Sequence, residues 1–530
     1  MTETKKTTER KKLPIGVQTF SKIREGGFYY VDKTGFAMDL IEKGSYYFLS
    51  RPRRFGKSLF VDTLKAIFEC RRELFTGLKA ESRWDWEVSY PVLTYSFGGG
   101  VFESVESVQN SLKEQLAYYE EFWKLEVAFP EIRSRFKRLI RHVAEKSGRP
   151  VVILVDEYDK PILDRIEDRD EALRIRETLK DFYSVIKDSD AHLRFAFLTG
   201  VSKFSKAGIF SGLNNLEDIT LDQRYSEICG YTEADVNTVF GSELEGLDRE
   251  EIRRWYDGYN WLGESVYNPF DILLLFAKRR FSAYWFETGT PAFLVKLLAE
   301  KGVFTPELDK TMASEMLIST FDVDSMPVEA LLFQAGYLTI GKVEDVLGST
   351  FFHLCYPNHE VYQSLNTCLA AAFLGDSSRE MKLRMDLLQV LRSKNFSKLK
   401  EHFMTLFAAI PHDWFRKNPI ARYEGYYASV FYSHFAALGL DIRMEDATNH
   451  GRIDMVVFFE GQVLIFEFKV VELVPEKKAL EQLLSRGYAD KYGSRGEPVH
   501  LIGVEFSREQ RNLIGFDYLP PSSNLDFAHT

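Results

Sequence analysis

The chain alternates short unbroken apolar runs with longer stretches in which apolar residues recur every three or four positions. "SYYFL" (45–49), "VVILV" (151–155) and "LRFAFL" (193–198) have the length and content of buried strands. Between them, "SLFVDTLKAIFE" places Leu59, Leu64, Ile67 and Phe68 on one helical face, and "RDEALRIRETLKDFYSVIKD" has the same helical spacing. Strands alternating with helices predict a parallel sheet covered on both faces. Farther along, "CGYTEADVNTVFGS" begins a helix with Thr232 as N-cap and Glu233 and Asp235 in its first turn. "MPVEALLFQAGYLTI" followed by "STFFHLCYPNHEVYQSL" reads as helix, strand, strand, helix. Near the end, two apolar runs flank Glu460-Gly461 in "GRIDMVVFFEGQVLIFEFKV" (451–470), which predicts a tight hairpin.

Length and composition narrow this picture. A chain of 530 residues is too long for one hydrophobic core, which implies about two to four domains. A content of 45% hydrophobic and 28% charged residues is that of a globular protein. The net charge of -10 excludes a uniformly basic nucleic-acid-coating protein, so contact with DNA or RNA must use local basic patches or bound metal. The four cysteines form no Cys-x-x-Cys pair and are too few for a disulfide framework, as expected in a reducing cytoplasm. "MTETKKTTERKK" lacks the apolar core of a signal peptide, and the apolar runs fall well short of the roughly 20 residues of a spanning helix. The expectation is a soluble cytoplasmic protein with no membrane partner.

Two motifs suggest a nucleotide site. "RPRRFGKS" fits the phosphate-loop pattern G-x-x-x-x-G-K-[ST], with Arg51 where the first glycine belongs and Gly56, Lys57 and Ser58 intact. A loop between strand and helix aims backbone N–H groups and the helix dipole at an anion, so Arg53, Arg54, Phe55, Gly56, Lys57, Ser58 and Leu59 are candidate ATP contacts. Lys57 would reach the β- and γ-phosphates and Ser58 would bind magnesium. The strand "VVILVDEYDKPI" ends in Asp156, a candidate to organise Mg²⁺, and Glu157, a candidate to polarise the attacking water. Thr199 and Ser202, at the end of "LRFAFLTGVSKF", stand where a polar sensor of the γ-phosphate can sit, although a hydroxyl at a strand end is also an ordinary turn former.

"LPIGVQTFSKIREGGFYYVDKTGF", "SRPRRFGKSLF", "VDEYDKPI", "GIFSGLNNLEDIT" and "WYDGYNW...VYNPFDI" together closely resemble the AAA-ATPase-like proteins of bacteria and archaea that carry a carboxy-terminal PD-(D/E)XK nuclease domain. Related archaeal-type ATPases have Gly-Pro-Arg-Arg-x-Gly-Lys-Thr at the loop, so the resemblance implies a variant phosphate loop in which Arg51 replaces the glycine. It also implies that "YYVDKT" (29–34) lies near the nucleotide, and that the middle of the chain includes a winged-helix-like lid. "WYDGYNW" (255–261) reads as a packed turn between lobes, and the ten histidines show no zinc-ligand spacing.

The hairpin carries a second chemistry. If Glu460-Gly461 is the turn, Asp454 lies opposite Glu467, and Lys469 points to the same face because strand side chains alternate. Two acids to hold Mg²⁺ or Mn²⁺ and a lysine to position or stabilise the phosphate are the parts of phosphodiester hydrolysis. Val456 and Ile465 share the acids' face while Val457, Phe466 and Phe468 occupy the other, so both faces read as buried. The arrangement resembles the PD-(D/E)XK core, with Ile453 where the named proline would precede Asp454. That resemblance carries over Glu424 as the acid on the preceding helix and Gln482 as a post-core glutamine, with Tyr488 as its companion at a wider spacing than usual.

The expected fold class is α/β: an AAA-like P-loop domain over 1–240, a helical and winged-helix-like module over 241–375, and a helical linker with a restriction-endonuclease-like domain over 376–530. The expected function is ATP hydrolysis coupled to metal-dependent cleavage of DNA, in defence or mobile-DNA processing. The alternative is a nucleotide-dependent switch or scaffold that binds nucleic acid without cutting. Self-association is compatible with this chemistry, because arginine fingers often arrive from a neighbouring copy.

Overall fold

In the computed structural model, the described residues are 10–127, 129–204, 215–289, 305–318, 326–410, 424–448, 451–472, 474–507 and 512–521, with isolated residues between these stretches; for 287–289 and 424–426 only the backbone is described. They divide into two compact units, one of residues 1–289 and 310–358, the other of 290–309 and 359–530.

In the first unit the three apolar runs become strands β1 (Tyr46–Ser50), β3 (Val151–Asp156) and β4 (Leu193–Gly200), and β2 (Val92–Ser96) and the short β5 (Glu217–Asp218) join them. They pair in the order β2-β3-β4-β1-β5, all in parallel. Every residue of β3 is buried, as a central parallel strand covered on both faces requires. One face is covered by the helices Val105–Phe122, Ile132–Ser147 and Arg169–Asp188, where Phe136 stacks on Phe182 and both meet Tyr95 of β2. Phe60 and Phe68, from the helix Lys57–Phe68, pack against Phe197 and Phe195 of β4. Thr232 caps the helix Glu233–Val239 in a capping box with Asp235.

The helix–strand–strand–helix reading of the middle region holds: the helix Val328–Ala335 precedes β7 (Thr339–Val346), β8 (Ser349–Cys355) and the helix His359–Leu374, and β6 (Met312–Ser314) completes a three-stranded sheet. Residues 241–375, expected as one module, are shared between the two units. The helix His359–Leu374 joins the second unit because it packs on the helix Glu424–Ala436, where Tyr362 meets Tyr432 and Gln363 donates to the carbonyl of Ala437.

The second unit is built on β9 (Asp441–Thr448), β10 (Gly451–Phe459), β11 (Gln462–Val471), β12 (Val499–Ser507) and β13 (Asn512–Leu519), ordered β13-β12-β11-β10-β9. Only β11 and β12 pair in parallel. One face carries Phe466, Phe468 and Phe506 against Phe431 and Phe435 of the helix Glu424–Ala436. The other face buries Val456 and Ile465 with Leu483 of the helix Lys478–Ser485. Among the described residues, no helix is long and apolar enough to cross a membrane.

Candidate active sites

The amino-terminal site forms where β1 ends and the helix Lys57–Phe68 begins. Gly56 adopts φ 91°, a left-handed conformation that favours glycine, and turns the chain into the helix. Beside this turn is a cavity of about 560 Å³, within the usual range for small-molecule sites. Arg53, Arg54, Phe55, Gly56, Lys57, Ser58 and Leu59 all line it, as expected of phosphate-loop contacts. Tyr29, Tyr30 and Lys33 of the "YYVDKT" stretch line it too.

Arg51 does not line the cavity. Its guanidinium turns inward, donating to the carbonyls of Ser50 (2.9 Å), Thr220 (2.9 Å) and Tyr225 (3.1 Å) and lying 4.2 Å from the Trp261 ring. It is 1% exposed, and burial pulls its pKa down to about 10, still cationic at neutral pH. Phe55 packs edge-on against Tyr259 and Trp261, so "WYDGYNW" is a packed turn beneath the loop. The arginine at the glycine position thus anchors the loop from behind.

Lys57 folds back onto its own loop, donating to the carbonyls of Arg51 and Pro52, each at 2.9 Å. Burial lowers its pKa, opposed by the charge of Asp156. Asp156 is buried, and its Oδ1 has no hydrogen-bond partner among the described residues. A buried carboxylate oxygen without a partner is costly, which suits a magnesium ion or its water; Ser58 lines the cavity, whereas Asp156 does not. Glu157 lines the cavity in a left-handed conformation, φ 53°.

Thr199 is a correction. It was expected to contact nucleotide, but it is fully buried, does not line the cavity, and donates its hydroxyl to the carbonyl of Leu49 (2.8 Å), tying β4 to β1. Ser202 is likewise buried and presents its backbone N–H to Asp159. Asp159 is the residue that sequence reasoning missed. It lines the cavity, accepts from the N–H groups of Val201 and Ser202, and burial pushes its pKa up to about 6. The available signal was a third acid in "DEYD", one helical step beyond Asp156.

At the second site the hairpin register is as expected. Glu460 (φ 42°) and Gly461 (φ 73°) form the turn, and the ladder pairs Phe459 with Gln462 through to Met455 with Phe466. The ladder ends there, and Asp454 reaches β11 through its side chain. Asp454 accepts from the Phe468 N–H at 2.7 Å, and its pKa is raised by burial. Glu467 is 1% exposed and accepts at Oε1 from Lys469 (2.9 Å) and from the amide of Gln482. Lys469 also donates to the Phe468 carbonyl (3.0 Å).

Lys469 and Gln482 therefore meet at Glu467, and Asp454 is held beside them on the Phe468 N–H, within reach of the Lys469 charge. Tyr488 belongs to the core cluster on the same side of the sheet, 2% exposed, and its hydroxyl takes the space beside Gly451. Glu424 begins its helix, but its side chain lies outside the described residues. Among the described residues, no group of three or more His, Cys, Asp or Glu gathers as a metal site. The buried carboxyls of Asp454 and Glu467, held by the N–H and by the side chain of consecutive β11 positions, suit Mg²⁺ or Mn²⁺, hard cations that keep several waters and take few protein oxygens.

A family model described as a predicted AAA-ATPase matches residues 14–210, and one described as the PD-(D/E)XK nuclease superfamily matches residues 422–516. An uncharacterised protein in the vnfD 5′ region of Azotobacter chroococcum mcd 1 is 59% identical over 508 residues, covering 96% of this chain and 98% of its own. No solved structure matches. The chain belongs to the family of AAA-ATPase-like proteins that carry a carboxy-terminal PD-(D/E)XK nuclease domain.

Proposed function

We propose that the protein hydrolyses ATP in the amino-terminal cavity and cleaves DNA at the carboxy-terminal hairpin, with nucleotide state governing cleavage. The observation that carries the reading is the meeting of Lys469 and Gln482 at Glu467, with Asp454 held beside them, in a chain that also builds a phosphate loop. ATP displaces Lys57 from the Arg51 and Pro52 carbonyls onto its β- and γ-phosphates. Glu157 orients the attacking water, and Asp156 with Ser58 holds the magnesium that accompanies the nucleotide.

At the hairpin, a bound divalent cation supplies charge neutralisation at the phosphate and activation of water. Asp454 and Glu467 hold that cation, and the backbone N–H of Phe468 fixes the orientation of the Asp454 carboxylate. Gln482 fixes Glu467, and Lys469 stabilises charge developing on the scissile phosphate. The role suggested is defence against foreign DNA or processing of mobile DNA, in the cytoplasm.

The test is cleavage of circular single- and double-stranded DNA in Mn²⁺, with and without ATP, by wild type and by the Asp454→Ala, Lys469→Ala double variant. Cleavage lost in the variant supports the nuclease, and dependence on ATP supports the coupling. If neither DNA is cut under any condition, the nuclease reading fails and a nucleotide-dependent switch that binds without cutting takes its place.

A further inference from the structure

A third carboxylate stands on the face that carries the hairpin site. Glu505 of β12 pairs in parallel register with Lys469 of β11, as Gly503 pairs with Glu467. Register partners share a face, and the neighbouring Phe506 packs on the opposite one against Phe431 and Phe468, which places the Glu505 side chain with Lys469 and Glu467. Glu505 is fully buried. Its Oε2 accepts from the backbone N–H of Glu476 at 2.6 Å, while its Oε1 is buried without a hydrogen-bond partner among the described residues.

The surroundings make room for this acid. A Cβ at Gly515 on β13 would stand 3.1 Å from its Oε2, and one at Gly503 would stand 2.5 Å from the backbone nitrogen of Leu480. The glycines let Glu505 lie flat and let the helix Lys478–Ser485 approach the sheet closely enough for Gln482 to reach Glu467. Through Glu476, Glu505 also holds the connection that leads into that helix.

A buried carboxylate oxygen left unpaired carries a desolvation penalty, so its persistence on the strand next to Lys469 calls for an acceptor role. Lys469 now shares Glu467 Oε1 with Gln482, and a divalent cation held by Glu467 would repel the ammonium from that carboxylate. We propose that Glu505 is a positioning residue of the nuclease site: its Oε1 accepts the Lys469 amine when a divalent cation takes Glu467, so that the lysine stays on the reacting face. The proposal rests on the metal-dependent nuclease reading above.

The experiment measures Mn²⁺ binding to the full chain by electron paramagnetic resonance, in the absence of DNA and ATP, across a double-mutant cycle of Glu505→Gln and Lys469→Met. Thermal unfolding checks each variant. Loss of an outer partner of a metal ligand weakens metal binding roughly tenfold or more, and that is the loss expected for Glu505→Gln alone. In the Lys469→Met background, Glu505→Gln should change nothing further, because the amine it serves is gone. Glu505→Asp, which keeps the charge, should recover part of the affinity and completes the cycle if the glutamine variant does not fold.

An equal loss in both backgrounds overturns the proposal, because Glu505 would then act on the ion or on the fold without Lys469. Unchanged affinity in Glu505→Gln overturns it as well, while leaving the nuclease reading intact. If wild type binds no Mn²⁺ that Asp454→Ala abolishes, the nuclease reading fails and this proposal falls with it.

Discussion

The two sites are assembled on opposite plans. The hairpin site comes almost entirely from residues 454–482, with one turn setting which side chains face each other. The amino-terminal cavity draws on residues 14–18, 29–33, 53–63, 157–164, 228–231 and 269–273, gathered at the strand ends of a parallel sheet. A local site depends on register, and a gathered one depends on anchors such as Arg51 and Asp159 that touch several segments at once. The first should break by losing chemistry and the second by losing shape.

The largest effect expected is at the hairpin. Lys469→Met should lower DNA cleavage by about 10²–10³-fold, the usual cost of removing one charge-stabilising group, with ATP turnover retained. Parallel cleavage and phosphate-release assays check it, and loss of both activities would show that the sites are not separable. Lys57→Ala should do the reverse. It should lower ATP hydrolysis by about 10²-fold or more while Mn²⁺-dependent cleavage without nucleotide persists, and fluorescent-nucleotide binding separates lost affinity from slow chemistry.

Arg51→Gly restores the common loop residue yet should weaken the amino-terminal unit by about 3 kcal/mol. It removes a buried charge and leaves the carbonyls of Thr220 and Tyr225 without their donor. Urea unfolding followed by tryptophan fluorescence reads this directly, since Trp261 lies against Arg51. Unchanged stability would mean that the arginine serves something other than the loop's anchorage.

The smallest effects separate the units by acidity, with opposite signs. Asp159 has its pKa raised to about 6 by burial, so its contribution to stability is full below the ordinary aspartate value near 4 and is lost as pH rises through 6. Lowering pH from 7 to 5 should therefore stabilise the first unit by about 1 kcal/mol, and Asp159→Asn should remove that slope. In the second unit His402 and His434 bond each other at 2.9 Å, and burial lowers both, His402 to about 4. A depressed histidine contributes stability above pH 6.5 that is lost as pH falls toward 4, so the same change should destabilise this unit by about 2 kcal/mol. Unfolding of wild type and His402→Gln at the two pH values checks the sign.

The same contrast explains what the sequence revealed. The hairpin and its register from Phe459–Gln462 to Met455–Phe466 were legible because strand alternation and a two-residue turn are set without reference to the rest of the chain. Lys57 was legible as the first residue of the helix after the loop, and Asp156 as the end of an apolar run. Thr199 misled because a hydroxyl at a strand tip turns toward the neighbouring strand or toward the cavity according to one torsion, and Leu49 offered a carbonyl. The inward turn of Arg51 depended on Trp261 and Thr220, some two hundred residues away, and no local pattern announces such a contact.

The two-residue turn at Glu460-Gly461 has a consequence for recognising this site in other chains. A one-residue slip of the register it sets would carry the side chains of one strand to the opposite face relative to the other, because side chains alternate with a period of two. Every residue of the Asp…Glu-x-Lys pattern would remain in order, and the two acids could no longer share an ion. Inheritance of the nuclease therefore depends on conserving a length as much as on conserving letters.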